Sequence, residues 1–366
     1  MRDATLVTTP EQLDAAVFRL QGASRLAIDT EFMRERTYYP QLCLVQIATE
    51  SDCYLVDPLA GLDLGPMHQV LADRSRLKIL HAARQDLEVL LLTGGGVPAP
   101  DFDTQVAAAL LGFPPQAGYA ELVARQLGHS IDKAQTRTDW SRRPLTPAQL
   151  AYAADDVHHL LQLHTEFTAA LTAQGRIEWL REDCAALEDP ALYRTEPADA
   201  WRRLKGLGRL RPQEQAVARA LAAWREQRAI ASDKPRGWIL TDDALYALAT
   251  LAPSSTADLE KIPALPPAVI RNRGEELVAL IASSRNASDD SSVVPTPQRL
   301  TPEQTRLIGR LQQQVRDVAT ELAISPEVLA TRRDIEALAL GSRESSPLLK
   351  GWRRSIIGEQ LLQLIA

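Results

Sequence analysis

The sequence predicts an α/β domain in the N-terminal half of the chain and an all-α region in the C-terminal half. Up to about residue 190, short apolar runs rich in Val, Ile and Leu recur with helical segments between them, which is the pattern of a β-sheet covered by helices. Beyond that point, Ala- and Leu-rich helical segments separated by Pro-containing turns replace the strand-like runs. We expect a mixed, five-stranded sheet with flanking helices.

Length and composition limit the class of protein. A chain of 366 residues is long enough for two or three domains. No window of the sequence approaches the roughly 18 uncharged apolar residues of a membrane span, and the N-terminus lacks the apolar core of a signal peptide. We therefore expect a cytoplasmic protein without a membrane partner. Cys43, Cys53 and Cys184 are odd in number and widely spaced, which is typical of reduced core cysteines and disfavours a zinc site.

The first predicted elements are a helix and three strands. Pro10 suits the first turn of a short helix. A buried strand follows at residues 26–28, and further strands lie at residues 42–48 and 53–57. The short polar link between the last two predicts an antiparallel hairpin.

The following segments alternate between strand and helix. The remaining elements of this half are a helix at 66–71, a strand at 77–81, a helix at 84–92, a strand and helix at 101–112, and helices at 118–128 and 147–173. A three-stranded meander followed by β-α-β units predicts a mixed sheet covered by helices.

The C-terminal half contains an approximate duplication. Each copy has a long helix, a short Pro-containing turn, a second helix and a last helix, and the long helices lie at residues 212–228 and 302–322. The segment between the copies has the Ser- and Asp-rich composition of a linker. The predicted boundaries are 1–190 for the α/β domain, 200–285 for the first helical domain, 286–297 for the linker and 298–366 for the second helical domain.

Three acidic residues of the α/β domain are candidates for a metal site. Asp29 and Glu31 lie two residues apart at the end of a predicted strand, so both side chains project from the same face. Such a pair repels unless a cation lies between the two carboxylates, and Mg²⁺ prefers oxygen ligands. Asp86 lies one turn into a helix that follows a buried strand. The alternative for Asp29 and Glu31 is that both acids face solvent at a strand end. The alternative for Asp86 is that the helix N-terminus alone favours an Asp there.

The fourth acidic candidate is on the predicted helix 147–173. Tyr152 and Asp156 are four residues apart and share one face of this helix. Helical periodicity places Asp156 on the apolar side and Asp155 on the polar side. A carboxylate on an apolar flank requires a partner, so Asp156 is the functional candidate and Asp155 is expected at the surface.

Four carboxylates and a tyrosine suit phosphoryl transfer with two metal ions. Two divalent ions about 4 Å apart can activate water and stabilise both oxygens of an in-line displacement. A tyrosine hydroxyl beside them can position the attacking water. The spacing Asp29-x-Glu31, Asp86 and Tyr152-x-x-x-Asp156 resembles, in order and context, the three exonuclease motifs of the DEDD superfamily, tyrosine subtype.

Further segments resemble the ribonuclease D family within that superfamily. The N-terminal segments that carry this resemblance are 31–40 and 139–145, and the C-terminal one is 348–358. The helical half resembles two HRDC modules, which are helical domains shared by helicases and ribonuclease D. The resemblance implies a ribonuclease H-like sheet and 3′–5′ hydrolysis of RNA to nucleoside 5′-monophosphates, with a role in trimming precursor tRNA.

The same resemblance implies a role for each candidate residue. It implies that two divalent ions, Mg²⁺ or Mn²⁺, are held by the four carboxylates. Asp29 would bridge both ions, and Glu31 and Asp156 would hold the ion that activates water. Asp86 would help to fix the second ion, and Tyr152 would orient the nucleophile.

A basic stretch in the first helical domain is a candidate surface for nucleic acid. Residues 202–236 contain ten basic and three acidic residues, whereas the whole chain has a net charge of −6. Phosphate contacts supply most nonspecific nucleic-acid affinity, although a solvated basic face is the alternative. The candidate contacts in this stretch are Arg202, Arg203, Lys205, Arg209 and Arg211. The candidates in the α/β domain are Arg34, Arg36, Lys133, Arg137, Arg142 and Arg143.

Three tryptophans lie in or beside the basic stretch. Trp201, Trp224 and Trp238 can stack on bases in principle, but Trp224 lies in an Ala- and Leu-rich helix and is expected in the core. The resemblance to the ribonuclease D family implies RNA as the partner, and we expect the protein to be a monomer. One alternative is a DNA-directed exonuclease, because RNA and DNA share the cleaved phosphodiester. The other alternative is a nucleic-acid-binding protein without catalytic activity.

Overall fold

Packing divides the chain into two compact units, each discontinuous in sequence. The computed structural model describes residues 4–94, 96–99, 101–131, 135, 138–286, 293–294 and 300–366. The large unit comprises Met1–Met33, Leu42–Tyr193 and Leu300–Ala366. The small unit comprises Arg34–Gln41 and Arg194–Arg299. The predicted linker 286–297 lies mainly outside the described residues, and the predicted domain boundaries stay predictions.

A mixed β-sheet forms the centre of the large unit. Its strands are β1 (Thr5–Val7), β2 (Arg25–Met33), β3 (Gln41–Ala48), β4 (Cys53–Val56), β5 (Leu77–Leu80) and β6 (Asp101–Asp103). In the described residues these six strands have the order β1-β4-β3-β2-β5-β6. β3 and β4 pair antiparallel, as predicted, while β1 with β4, β2 with β5 and β5 with β6 pair parallel.

The predicted count of five strands is wrong, because β1 adds a sixth strand at the edge of the sheet. β1 is only three residues long, which is too short to show the alternation by which a strand is detected in a sequence. It pairs with β4, in the register Thr5 to Tyr54 and Val7 to Val56. β1 therefore covers the outer strand of the predicted hairpin.

Helices of the large unit cover the sheet. They are α1 (Pro10–Gln21), α2 (Gly65–Ala72), α3 (Arg84–Gly94), α4 (Thr104–Leu110), α5 (Tyr119–Leu122), α6 (Pro147–His158), α7 (Leu160–Ala173) and α8 (Ile177–Ala185). A π-helical turn, Val123–Leu127, continues α5. The predicted helix 147–173 forms two helices, because the helix is interrupted at His159. Thr146 begins α6 with a capping box, in which its side chain accepts from the Gln149 N–H.

The helical modules follow the duplicated pattern of the sequence. The first helical module contains α9 (Pro212–Ser232), α10 (Arg236–Ile239), α11 (Asp242–Leu251), α12 (Thr256–Leu259) and α13 (Pro267–Asn286). The second contains α14 (Pro302–Glu321), α15 (Pro326–Leu329), α16 (Arg332–Ala339), α17 (Gly351–Arg353) and α18 (Glu359–Ile365). None of the described helices is long and apolar enough to cross a membrane.

The second helical module shares a hydrophobic core with the α/β domain. Ile79 of the sheet, Phe167 of α7, and Leu311 and Leu348 of the module belong to one cluster of buried apolar residues. At the edge of this cluster the indole rings of Trp179 and Trp352 stack with centroids 4.4 Å apart. Arg353 then binds Asp183 through both carboxylate oxygens, at 2.6 and 3.1 Å. These contacts attach the second module firmly to the α/β domain.

The small unit has its own core and includes a loop from the α/β sequence. Residues of α9, α11 and α13 form a separate apolar cluster. The Arg34–Gln41 loop, which connects β2 to β3, is hydrogen-bonded to the first helical module. Tyr38 donates its phenolic hydrogen to Glu226 Oε1 at 2.5 Å, and the backbone N–H groups of Tyr38 and Tyr39 donate to Asp233 Oδ1 at 3.0 and 3.1 Å.

Candidate active site

β2 presents the first two acidic side chains. It lies between β3 and β5 near the middle of the sheet, and Leu26, Ala27 and Ile28 are fully buried in it. Asp29 and Glu31 follow on this strand and are both half-buried. A buried central strand fixes its backbone through ladders on both sides, so the two carboxylates have defined positions.

The structure brings Asp156 to the same place as Asp29 and Glu31. One carboxylate oxygen from each of the three residues lies within 4.8 Å of the others. Asp155 is not a member of this group, so the helix-phase argument selects the aspartate that the fold places beside β2. Tyr152, one turn earlier on α6, hydrogen-bonds to Asp156.

Asp86 is held beside the cluster by a residue that the sequence did not single out. Asp86 lies in the first turn of α3 and is 7% exposed. The Thr30 hydroxyl donates to Asp86 Oδ1 at 2.5 Å. Thr30 lies between the two acids of β2, and its only signal in the sequence is a polar residue inside a buried strand.

Burial and mutual repulsion raise the pKa of all four carboxyl groups. The pKa of Glu31 rises to about 9 through burial and then through the charges of Asp29, Asp156 and Asp86. Burial raises the pKa of Asp156 to about 7, although the hydrogen bond from Tyr152 lowers this pKa. Burial also holds the pKa of Asp29 and of Asp86 well above the usual range, and the charge of Asp156 adds to this at Asp29. Converging carboxylates that resist ionisation fit a divalent cation.

Tyr119 is a second residue that sequence patterns did not indicate. Its hydroxyl donates to the carbonyl oxygen of Asp155 at 3.0 Å and accepts from the N–H of His159 at 3.2 Å. It therefore binds the backbone where α6 ends, directly beside Asp156. Burial raises the pKa of the Tyr119 phenol well above its usual value, so the hydroxyl stays protonated and able to donate.

The structure gives Arg143 a structural position instead of the predicted nucleic-acid contact. Its Nε and Nη2 atoms donate to the two carboxylate oxygens of Asp57, each at 2.6 Å. Its other donors bind the carbonyl oxygens of Cys43, Trp140 and Arg142 at 2.7 to 2.8 Å. All five N–H donors of a guanidinium are thus engaged within the protein. Arg143 has no donor left for a phosphate.

Of the other basic candidates in the α/β sequence, the structure describes Arg34, Arg36 and Arg142. Lys133 and Arg137 lie outside the described residues. Arg142 has a side chain that is 85% exposed and lies 3.6 Å from Asp139. Arg34 is exposed and engaged in a contact within the protein. Arg34 and Arg36 both belong to the loop that is part of the small unit.

The basic stretch 202–236 is much less positive in three dimensions than in sequence. Six of its basic residues form ion pairs: Arg202, Arg203, Arg211, Arg225, Arg228 and Arg236. Three of the partners, Asp199, Asp242 and Glu276, come from outside the stretch. Among the described residues, Lys205 and Arg209 have no acidic partner. The predicted contacts of Arg202, Arg203 and Arg211 therefore compete with internal ion pairs.

The comparisons with known proteins agree with this geometry. The family model described as 3′–5′ exonuclease matches residues 4–172, and the HRDC domain model matches residues 214–281. Ribonuclease D of Acidiphilium cryptum is 41% identical, covering 99% of this chain and 93% of the relative. The chain belongs to the ribonuclease D family. Ribonuclease D of Pseudomonas paraeruginosa is 39% identical, covering 93% of this chain and 92% of the relative.

A solved structure shows the same relationship. The crystal structure of Escherichia coli RNase D, "an exoribonuclease involved in structured RNA processing", matches with a TM-score of 0.90 and 31% identity. The match covers 99% of this chain and 98% of that one. Membership of the ribonuclease D family confirms the predicted 3′–5′ exoribonuclease, with an exonuclease domain followed by a helical HRDC region. Exonucleases of this superfamily depend on divalent metal ions, which fits the acidic cluster.

Proposed function

We propose that this exoribonuclease removes nucleotides from the 3′ end of RNA by a two-metal mechanism and acts in the 3′ maturation of tRNA. The convergence of Asp29, Glu31 and Asp156 carries the proposal, because their carboxylate oxygens lie within 4.8 Å of one another. The E. coli relative is an enzyme of structured RNA processing, which supports a structured precursor as substrate. We also propose a monomeric, cytoplasmic enzyme.

The four carboxylates are the ligands in this proposal. Asp29, Glu31 and Asp156 would hold one ion, and Asp86 would help to hold the other together with Asp29. When bound, Mg²⁺ or Mn²⁺ supplies Lewis-acid stabilisation to an in-line displacement at phosphorus. The Thr30 hydroxyl keeps Asp86 in place through their 2.5 Å hydrogen bond.

Tyr152 orients the attacking water in this proposal. Its hydroxyl is already hydrogen-bonded to Asp156, so it lies where the ligands converge. The water oxygen bonds to phosphorus as the bond from phosphorus to the 3′ oxygen breaks, and the leaving oxygen takes a proton. The products are a nucleoside 5′-monophosphate and an RNA with a new 3′ hydroxyl.

Exposed basic residues guide the RNA backbone in this proposal. The exposed candidates are Arg34, Arg142, Lys205 and Arg209, and Lys133 and Arg137 stay candidates from the sequence alone. Arg202, Arg203 and Arg211 contribute only if phosphate replaces their ion-pair partners. Such contacts depend on salt concentration, because each one releases counterions from the RNA.

The test uses a single-stranded RNA labelled at its 5′ end, with a DNA of matching sequence beside it. Mg²⁺ or Mn²⁺ should give a ladder that shortens from the 3′ end of the RNA, and a chelator should stop it. A precursor tRNA with a 3′ extension should be shortened to a stable product at the mature end. Equal digestion of the DNA would contradict RNA specificity, and binding without shortening would contradict the enzyme.

Asp29→Asn and Asp156→Asn test the ligand assignment. Each should lower the rate by roughly a hundredfold to ten thousandfold, because lost metal stabilisation costs several kcal/mol. Asp155→Asn is the matched control, since this neighbouring carboxylate lies outside the cluster and should leave the rate within about threefold. Tyr152→Phe should impair the rate less than either ligand variant. Substantial activity in Asp29→Asn would overturn the two-metal assignment.

A further inference from the structure

The three tryptophans of the first helical module differ in exposure. Trp224 is buried, and its indole N–H donates to Glu276 Oε1 at 2.7 Å. The guanidinium groups of Arg202 and Arg219 lie over the ring of Trp201, at 4.9 and 4.3 Å. Trp238, in contrast, is 61% exposed. Of these three rings, Trp238 is the one that the fold leaves open to solvent.

Trp238 lines a groove of the first helical module. The groove has a volume of about 780 Å³ and lies between α9, α10 and α13, within the range of about 300–1,000 Å³ usual for ligand sites. Its polar lining includes Arg228, Lys234, Asn272 and Arg273, and Trp224 also lines it. An exposed aromatic ring and several cationic side chains thus face one concave surface.

The groove is net positive. Arg228 binds Glu276 at 2.6 Å, and Arg273 lies 3.7 Å from the same carboxylate. Lys234 is exposed and has no acidic partner among the residues that the structure describes. Three cationic groups therefore meet a single anionic one. A neutral apolar ligand would leave this charge excess without compensation.

We propose that this groove binds one nucleotide of a single-stranded RNA, with the base stacked on Trp238 and the phosphate held by Lys234 and Arg273. Asn272 offers amide groups to the edge of the base. Aromatic stacking combined with a positive groove is how proteins bind single strands with little sequence preference. The inference rests on the proposed RNA substrate and concerns RNA affinity, not the cleavage step.

The first experiment measures binding of a fluorescent single-stranded RNA of about 20 nucleotides in the presence of a chelator, so that no cleavage occurs. Trp238→Ala should raise Kd about tenfold, because stacking on one aromatic ring contributes that order of affinity. Trp238→Phe should restore most of the affinity, because it keeps a ring. The matched control is Phe18→Ala, which removes another exposed aromatic, 75% accessible, from α1 of the large unit. This control should bind like the wild type.

A salt titration tests the phosphate contact. Lys234→Ala should lower the slope of log K against log salt by about 0.7, the value for one phosphate on a single strand. Lys261→Ala is the charge-matched control on the same module, since Lys261 is exposed and paired with Asp258. It should leave the slope unchanged.

Hydrolysis separates this inference from the proposed function. Trp238→Ala should raise KM for the RNA while kcat at saturating RNA stays at the wild-type value. If the wild type does not shorten RNA, the proposed function fails. If it does, and Trp238→Ala with wild-type thermal stability binds RNA as the wild type does, the groove is not an RNA site.

Discussion

At the scale of single residues, ionisation of the acidic cluster lowers the free energy of unfolding of the metal-free protein. Glu31 has an ordinary pKa of 4.5 and a folded-state pKa of about 9. A carboxyl group with a raised pKa stabilises the fold while protonated, and this contribution is lost as pH rises from 4.5 through 9. The Asp156 carboxyl group loses its contribution in the same way as pH rises from 3.8 through about 7, because its pKa is raised over that range. Metal binding must displace these protons.

The metal-free protein should therefore melt at a lower temperature as pH rises, and Mg²⁺ should raise Tm more at about pH 8.5 than at about pH 6. Asp29→Asn should raise the Tm of the metal-free protein at about pH 8.5 by about 2–4 °C, because the neutral amide removes the cost of burying the Asp29 carboxyl group, which is ionised in the unfolded chain. Thermal melts with chelator and with Mg²⁺ check both. An equal Mg²⁺ effect at the two pH values would contradict the linkage.

At the scale of secondary-structure elements, Arg143 joins segments that are far apart in the sequence. It binds Asp57 just after β4 and the carbonyl of Cys43 in β3. It also precedes α6, which carries Tyr152 and Asp156. The side chain of Asp57 is only 5% exposed, so removal of the guanidinium leaves a buried, unpaired carboxylate.

Arg143→Ala should lower the free energy of unfolding by about 3–5 kcal/mol, the usual cost of breaking a buried ion pair from one side. The matched control is Arg142→Ala, because this neighbour is 85% exposed and should change stability by less than about 0.5 kcal/mol. Urea unfolding measures both values. If Arg143→Ala had the stability of the wild type, the structural role of the Arg143–Asp57 ion pair would be contradicted.

At the scale of the whole molecule, the second helical module behaves as part of the α/β domain. The two share one buried apolar cluster, and Arg176 donates to the carbonyl oxygens of Leu110 and Leu322 at 2.7 and 2.6 Å. Trp352 is 6% exposed and stacks on Trp179. This module should therefore unfold together with the sheet.

Trp352→Ala should lower the free energy of unfolding of the large unit by about 3–5 kcal/mol, as expected when a buried aromatic ring is removed. Trp238→Ala is the control, since its ring is 61% exposed. Denaturant unfolding followed by circular dichroism measures the effect. If the second module unfolded in a separate transition and the main midpoint did not move, the shared core would be contradicted.

Local periodicity accounts for what the sequence predicted correctly. The two-residue spacing of Asp29 and Glu31 and the helical phase of Asp156 are properties of single elements, and the structure brings these three together. Arg143 could not be assigned, because Asp57 lies 86 residues away. The basic stretch was overestimated for the same reason, since Asp199, Asp242 and Glu276 lie outside it. Partners chosen by tertiary folding leave no local pattern.

The attachment of the Arg34–Gln41 loop has a consequence for synthesis on the ribosome. Tyr38 and its partner Asp233 are 195 residues apart. At roughly 5–20 residues per second, translation reaches Asp233 about 10–40 s after Tyr38. The nascent strands on both sides of the loop can pair before that time, but the loop itself has none of these hydrogen bonds to the first helical module. For that interval the loop backbone is free to meet proteases and chaperones, and it is fixed only when the first helical module emerges.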